Sequence, residues 1–165
     1  MISIPAKLDD YQVGNVIGDE LGSQTSSTWR IFEWNDVSLS YKENPVNFST
    51  GESFWLYQRI EDNLSIATPS GETGSMNGIS LTIKPGWNLI GSPYSFPVDL
   101  VVDQGQFYGP VAYGLSGESW SDVTEELRPW SGYALYNRTA GDQTVFIDPF
   151  SYTHLTRPPQ AYFEH

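Results

Sequence analysis

The stretch Pro85-Gly86-Trp87-Asn88-Leu89-Ile90-Gly91-Ser92-Pro93-Tyr94-Ser95-Phe96-Pro97-Val98-Asp99-Leu100 decides the fold. Trp87, Leu89 and Ile90 supply apolar area. Gly86 and Gly91 permit backbone angles or close approaches that a Cβ would forbid, and Pro93 and Pro97 end hydrogen-bonded pairing. The run reads as a buried strand entering a tight turn. It speaks about architecture and carries no chemistry.

Outward from it, Ile79-Ser80-Leu81-Thr82-Ile83 alternates apolar and polar for a half-buried strand, and Lys84-Pro85-Gly86 turns into the strand Trp87 to Ile90. Val111 to Leu115, Gly132 to Tyr136 and Thr144 to Ile147 read as further strands, with Gly141-Asp142 as a hairpin turn. Upstream, Trp29 to Trp34 and Val37 to Tyr41 form a pair turned by Asn35-Asp36, and Phe54 to Ile60 pairs with Leu64 to Ala67 through Glu61-Asp62-Asn63. One helix is expected: Val13, Val16, Ile17 and Leu21 recur at helical spacing, Asp9 and Asp10 stand where a cap belongs, and Gly22 ends it. Ser70 to Ser75 has the small polar composition of a flexible connector.

These elements repeat. Phe54-Trp55-Leu56-Tyr57-Gln58-Arg59 aligns with Tyr133-Ala134-Leu135-Tyr136-Asn137-Arg138 at an offset of 79, and Ile2-Ser3-Ile4-Pro5 aligns with Ile90-Gly91-Ser92-Pro93 at an offset of 88. The difference of nine predicts a change of loop length around Thr25 or Tyr113. Val98 to Val102 falls where the first half has its helix. The expectation is an all-β sandwich with one short helix: residues 1–149 form a single domain of two related halves, about 1–75 and 76–149, joined through one shared interior.

Composition agrees. Aromatic residues make up 15%, and 15 Gly with 11 Pro favour strands and turns over long helices. Eight basic against 20 acidic residues give a net charge of −12, a surface that repels phosphate backbones and anionic lipids, so no nucleic-acid partner is expected. The absence of Cys removes disulfides, thiolate nucleophiles and the usual structural zinc sites. No apolar run reaches the roughly 20 residues that span a bilayer as a helix.

The quoted run resembles the GWN-IG-P-FPVDW signature of an accessory β domain found near the C-termini of large secreted or surface-anchored bacterial proteins. Thr28-Trp29-Arg30-Ile31-Phe32, Gly51-Glu52-Ser53-Phe54-Trp55-Leu56 and Leu127-Arg128-Pro129-Trp130-Ser131-Gly132-Tyr133 fit the same family, and Leu100 departs from it where Trp is usual. The resemblance implies a non-enzymatic structural or adhesive role outside the cell or at its surface, with neighbouring domains of a parent chain as partners. It brings no catalytic residues.

Three chemistries bear on the residues themselves. Acid/base catalysis lacks a His before residue 154, and the paired carboxylates Asp9/Asp10, Asp19/Glu20, Glu61/Asp62 and Glu125/Glu126 sit among turn residues or at a helix cap, where solvated charge is the ordinary reading. No Gly-x-Ser-x-Gly elbow occurs, and no enzymatic activity is expected. Carbohydrate binding is the stronger alternative, because exposed Trp and Tyr rings stack on sugar faces. Its candidate ligand-binding residues are Trp120, Trp130 and Asp122, with polysaccharide as the partner, whereas Trp29, Trp34, Trp55 and Trp87 read as core or cross-strand partners. Calcium would find oxygens at Asp99, Asp103 and Gly18-Asp19-Glu20, yet no Asp-x-Asp-x-Asp-Gly loop is present, so no cofactor or metal is the favoured expectation.

Both ends differ from this frame. Met1-Ile2-Ser3-Ile4-Pro5 reads as a strand entered midway, which places the start of the parent chain and its export signal upstream. Residues 150–165 lose all periodicity and hold both histidines. The run Ser151 to Pro159 resembles translated sequencing-adaptor read-through, with a Pro-rich linker as the alternative, and is expected to contribute no element to the fold.

Overall fold

The computed structural model describes residues 1–59, 71–72, 74–114 and 119–150. The expected strand Leu64 to Ala67, its turn Glu61-Asp62-Asn63 and the tail from Ser151 lie outside the described residues. The chain is built on antiparallel strands with one helix, α1 (Val13–Leu21).

The first half forms a four-stranded sheet from β1 (Ile2–Ser3), β3 (Trp29–Asn35), β4 (Ser40–Glu43) and β5 (Ser53–Gln58), in the order β1-β5-β3-β4. The second half forms another from β8 (Gly86–Gly91), β10 (Phe107–Gly114), β11 (Ser119–Val123) and β13 (Gly132–Asn137), in the order β8-β13-β10-β11. Strand for strand, the two orders are the same. The registers agree as well: Ile2 faces Phe54 as Ile90 faces Tyr133, and Trp34 faces Tyr41 as Tyr113 faces Trp120. Both sequence offsets are therefore offsets in space.

Four two-residue strands and one longer pair complete the set. β2 (Lys7–Leu8) pairs with β6 (Gly71–Glu72), β9 (Val98–Asp99) with β12 (Glu126–Leu127), and β7 (Ile79–Ile83) with β14 (Gln143–Ile147). The Gln12–Asn47 bridge of the first half is the counterpart of the Asp99–Glu126 pair in β9 and β12.

The length difference lies just before Thr25. The bond from Val13 N–H to Val46 O is matched by that from Leu100 N–H to Glu125 O, and the bond from Thr28 N–H to Thr25 O by that from Gln106 N–H to Asp103 O. What the first half inserts between those marks is α1; the second half goes straight from Leu100 to the Asp103 turn. Asp10 accepts from Gln12 N–H at 2.8 Å and Asn15 Nδ2 at 2.7 Å, ahead of an N-cap at Gln12 whose side chain makes no capping bond to the helix backbone. Gly22, at φ +67°, closes the helix onto Gly18 O at 2.8 Å.

Several expectations are corrected. The turn after β3 spans residues 36–39, with Leu39 at φ +50° and Val37 89% exposed, because Asn35 Oδ1 accepts from the N–H groups of both Val37 and Ser38. Gly141-Asp142 joins strands that do not pair, since β14 crosses to β7. Ser70 to Ser75 is no free connector where it is described: Gly71–Glu72 pairs with β2, Gly74 N–H donates to Pro93 O at 3.1 Å, and the buried Tyr94 donates to Ser75 O at 2.8 Å. The strands β11 and β12, too polar or too short to show an alternating pattern, are additions.

The interior is also divided differently. Ile4, Val16, Ile17, Trp29, Ile31, Phe48 and Phe54 form one buried cluster on the helix side of the first sheet. Ile83, Ile90, Tyr94, Leu100, Leu127, Tyr133, Leu135 and Ile147 form another on the far side of the second sheet. Between the facing sheets lies a thin seam of Leu89, Val111 and Ala134 against Met1, Trp34 and Trp55. Strand alternation explains this, because the residues flanking each core residue in β5 and β13 point to the opposite face.

The halves meet about a pseudo-twofold relation. Ser3 N–H donates to Trp130 O at 3.3 Å, and its counterpart Gly91 N–H donates to Gly51 O at 2.9 Å. Gly51 and Trp130, the paired acceptors, both hold positive φ, +79° and +63°.

Candidate functional site

Two hairpin ends, β3–β4 and β10–β11, carry the same aromatic device. Trp34 meets Tyr41 edge-on with centroids 5.1 Å apart, and the equivalent Tyr113 meets Trp120 edge-on at 5.4 Å. Cross-strand placement does this locally, since opposed residues on one sheet face bring rings into reach. Trp55 then crosses the seam to lie 5.1 Å from Tyr113 and 6.4 Å from Trp120, and its indole N–H donates to Tyr41 Oη at 3.0 Å. Trp87, opposite Tyr136 in the ladder, stacks on Trp120 at 6.4 Å with only 16° between ring planes. Tyr108 and Tyr136 pack on the other edges of Trp87.

The result is a continuous aromatic belt, open to solvent along one side. Trp120 is 46% exposed and Trp87 41%, while Trp34 and Trp55 are half-buried and Trp29 alone is sealed in a core. Within the belt lies a groove of about 260 Å³ lined by Trp34, Tyr41, Trp87, Leu89, Trp120 and Ala134.

Of the three binding residues expected from sequence, only Trp120 reaches this groove. Trp130 is exposed at the junction of the halves, where its carbonyl serves Ser3, and no ring contact among the described residues involves it. Asp122 is exposed on β11 and does not line the groove. Trp34 and Trp87 pair across strands with Tyr41 and Tyr136, as expected, but sequence reading missed that Trp34, Tyr41 and Trp87 line an open groove, because strand alternation looks the same whichever sheet face meets water.

A polar pocket of about 350 Å³ adjoins the groove and shares Trp34 and Leu89 with it. Glu33, Asp36, Glu52, Lys84 and Asn88 are among its walls. Glu52 as a residue is exposed, but partial desolvation of its carboxyl at the wall, and then repulsion from Glu33 and Asp36, push that group above its ordinary pKa against an opposing hydrogen bond from Ser49. Lys42 sits 2.7 Å from Glu33. None of these carboxylates belongs to the adjacent pairs picked out in the sequence; they are brought together by the turn after β3 and the entry to β5.

The sequence-adjacent pairs are used otherwise. Asp9 and Asp10 face water, and Glu126 Oε1 accepts from Arg128 Nε at 2.5 Å. The side chains of Asp19 and Glu20, like Glu61, Asp62 and the two histidines, lie outside what is described. Asp103 Oδ1 accepts from Gly105 N–H at 2.8 Å within its own turn. Among the described residues no group of three or more His, Asp or Glu gathers closely enough to hold a metal ion, and no helix is long and apolar enough to cross a membrane.

Comparison with known protein families, curated proteins and solved structures finds no match to this chain.

Proposed function

We propose that the chain is a non-catalytic accessory module of a larger secreted or cell-surface bacterial protein, and that it acts by adhesion through the aromatic belt. One observation carries this reading: large rings that would lower the free energy of a core are held in an open groove between the sheets, by cross-strand pairing on both sides. Exposed apolar rings of this extent mark a place where something binds. The six groove-lining residues include no carboxylate, imidazole or ammonium group, which suits binding better than acid/base chemistry. The GWN-IG-P-FPVDW likeness supports the extracellular setting and the neighbouring domains as partners.

The favoured ligands are polysaccharides, whose rings present an apolar face to an indole and hydroxyls at the edge. Tryptophan emission is the direct readout, since Trp87 and Trp120 would change environment. Addition of soluble polysaccharides is expected to shift or quench it in the parent chain and not in Trp120→Ala. Absence of any response across neutral, acidic and basic glycans would overturn the reading. A hydrolytic alternative would draw on the carboxylates that line the adjoining pocket, Glu33, Asp36 and Glu52. Release of new reducing ends from a bound glycan, lost in Glu52→Gln, would replace adhesion with catalysis.

A further inference from the structure

The pseudo-twofold relation shows why the groove exists. Positions 79 apart are structural mates: Trp55 with Ala134, Trp34 with Tyr113, Tyr41 with Trp120. In one direction across the seam, the Trp55 ring fills the space against Tyr113 and Trp120. In the other direction, its mate is Ala134, facing Trp34 and Tyr41. A methyl group cannot fill what an indole fills. The groove of about 260 Å³ with Ala134 in its wall is therefore a vacated tryptophan position, still walled by the rings that would have packed on it.

From this we infer that the groove seats one pyranose ring of a neutral glycan, held at the place of the missing indole. The inference rests on the adhesive reading above and specifies its ligand. A site shaped for an indole takes a flat apolar face, which both a sugar ring and an aromatic side chain of a partner protein offer. The polar pocket decides between them. It opens beside the groove across Trp34 and Leu89; the Asn88 amide in its wall is spent on the backbone of Lys84 and Gly86, and Lys84 Nζ on Asp142, so the groups it offers a ligand are Asp36, Ser80 and Thr82. A glycan chain passing from groove to pocket would offer hydroxyls to the Asp36 carboxylate and to Ser80 and Thr82 there, contacts that an aromatic side chain could not make. Charge narrows the class further. With Glu33, Asp36 and Glu52 at the pocket and a net charge of −12 overall, uronate or sulfated chains are repelled.

The test uses the full chain and the variant Ala134→Trp, which puts the mate's side chain back. Calorimetric titration is run with neutral hexaoses of glucose, xylose and mannose, with oligogalacturonate, and with a Trp-containing peptide. At least one neutral oligosaccharide is expected to bind, and Ala134→Trp is expected to weaken it tenfold or more without lowering Tm, because the new ring fills existing space. Trp130→Ala, outside the groove, is expected to stay within twofold of the parent. Should Ala134→Trp fail to fold, Ala134→Leu intrudes less and is expected to weaken binding about threefold. A neutral glycan held as tightly by a folded Ala134 variant, but lost in Trp120→Ala, would overturn the vacated seat and leave the adhesive reading standing. Tighter binding of oligogalacturonate would overturn the neutral class, and binding of the peptide alone would overturn the sugar. No binding of any probe would take the adhesive reading down as well.

Discussion

Replacing Gly91 with Ala probes the joint on which the two halves turn. A Cβ at Gly91 would overlap the Cβ of Ser3, lie 2.7 Å from Ser3 Oγ and stand 3.2 Å from the Glu52 carbonyl. Neither neighbour is free to move. Ser3 is 1% exposed, its Oγ donates to Ser131 O at 2.8 Å, and its own strand is only two residues long. Overpacking of this kind costs about 1–3 kcal/mol. A loss of about 2 kcal/mol lowers Tm by roughly 4–8 °C in a chain of this size. The cause is separable by a double-mutant cycle. Ser3→Gly alone costs about 1 kcal/mol through the lost hydrogen bond, yet it removes the atoms that the new methyl strikes. The double variant Ser3→Gly/Gly91→Ala moves the single Cβ from one mated position to the other and is expected to be more stable than the sum of the two changes by at least about 1 kcal/mol. Urea unfolding followed by tryptophan emission gives each value, with m unchanged across the set as the check on a common mechanism. A Gly91→Ala protein as stable as its parent, or additivity within about 0.5 kcal/mol, would refute the close approach.

Ser53, 2% exposed and facing Gly132 across the same joint, keeps a buried hydroxyl with no hydrogen-bond partner among the described residues, so Ser53→Ala is expected to raise stability by about 1 kcal/mol in the same urea assay. Gly51→Ala is expected to destabilise by 1 kcal/mol or more, measured by Tm, since φ +79° disfavours any Cβ and this one would meet Leu81 Cδ2 at 2.5 Å. Tyr94→Phe removes the bond that ties Ser75 to the second core and is expected to cost about 1 kcal/mol, with amide exchange of Gly74 accelerating alongside. Glu52 has a folded pKa above its unfolded one, so the folded state binds the extra proton between those values and stability falls as pH rises through that window. Glu52→Gln is expected to flatten that slope in pH-dependent melts and to leave the protein more stable at neutral pH.

Much of this architecture was legible because strand alternation and tight turns leave marks in single residues. The strand expected at Trp87 to Ile90 forms, one residue longer at each end, the helix ends at Gly22, and the offsets of 79 and 88 reproduce the pairing registers. Less visible was which sheet face is covered. In β5, Phe54 enters a core while Trp55 on the opposite face enters the seam, and their sequence environments give no sign of the difference. Periodicity specifies two faces without saying what lies against each. The groove was hidden for a related reason. Ala134 is unremarkable in sequence, and only superposition on its mate Trp55 shows it as a deletion of a ring. The polar pocket joins residues from the turn after β3, the entry to β5 and β8, a proximity set by the joint between halves and not by spacing along the chain.

The same joint accounts for the aromatic belt. At Ser3, Ser53, Gly91 and Gly132 the side chains are so small that backbones of opposite halves bond directly, as in Gly91 N–H to Gly51 O at 2.9 Å. Pleated sheets are stiff and twisted, so two that touch at one corner separate toward the other. At the hairpin ends the gap between them takes a full Trp55 ring plus a second ring 5.1 Å beyond it. Large flat residues are what such a wedge-shaped space accepts, which explains why Trp and Tyr recur at mated positions in both hairpins. Strict symmetry would have closed the wedge on both sides with an indole each. Having Trp55 on one side and Ala134 on the other keeps the scaffold rigid while leaving half of the wedge open. On this account adhesion and stability draw on the same rings, and a substitution such as Trp55→Ala should loosen the joint and the seat together.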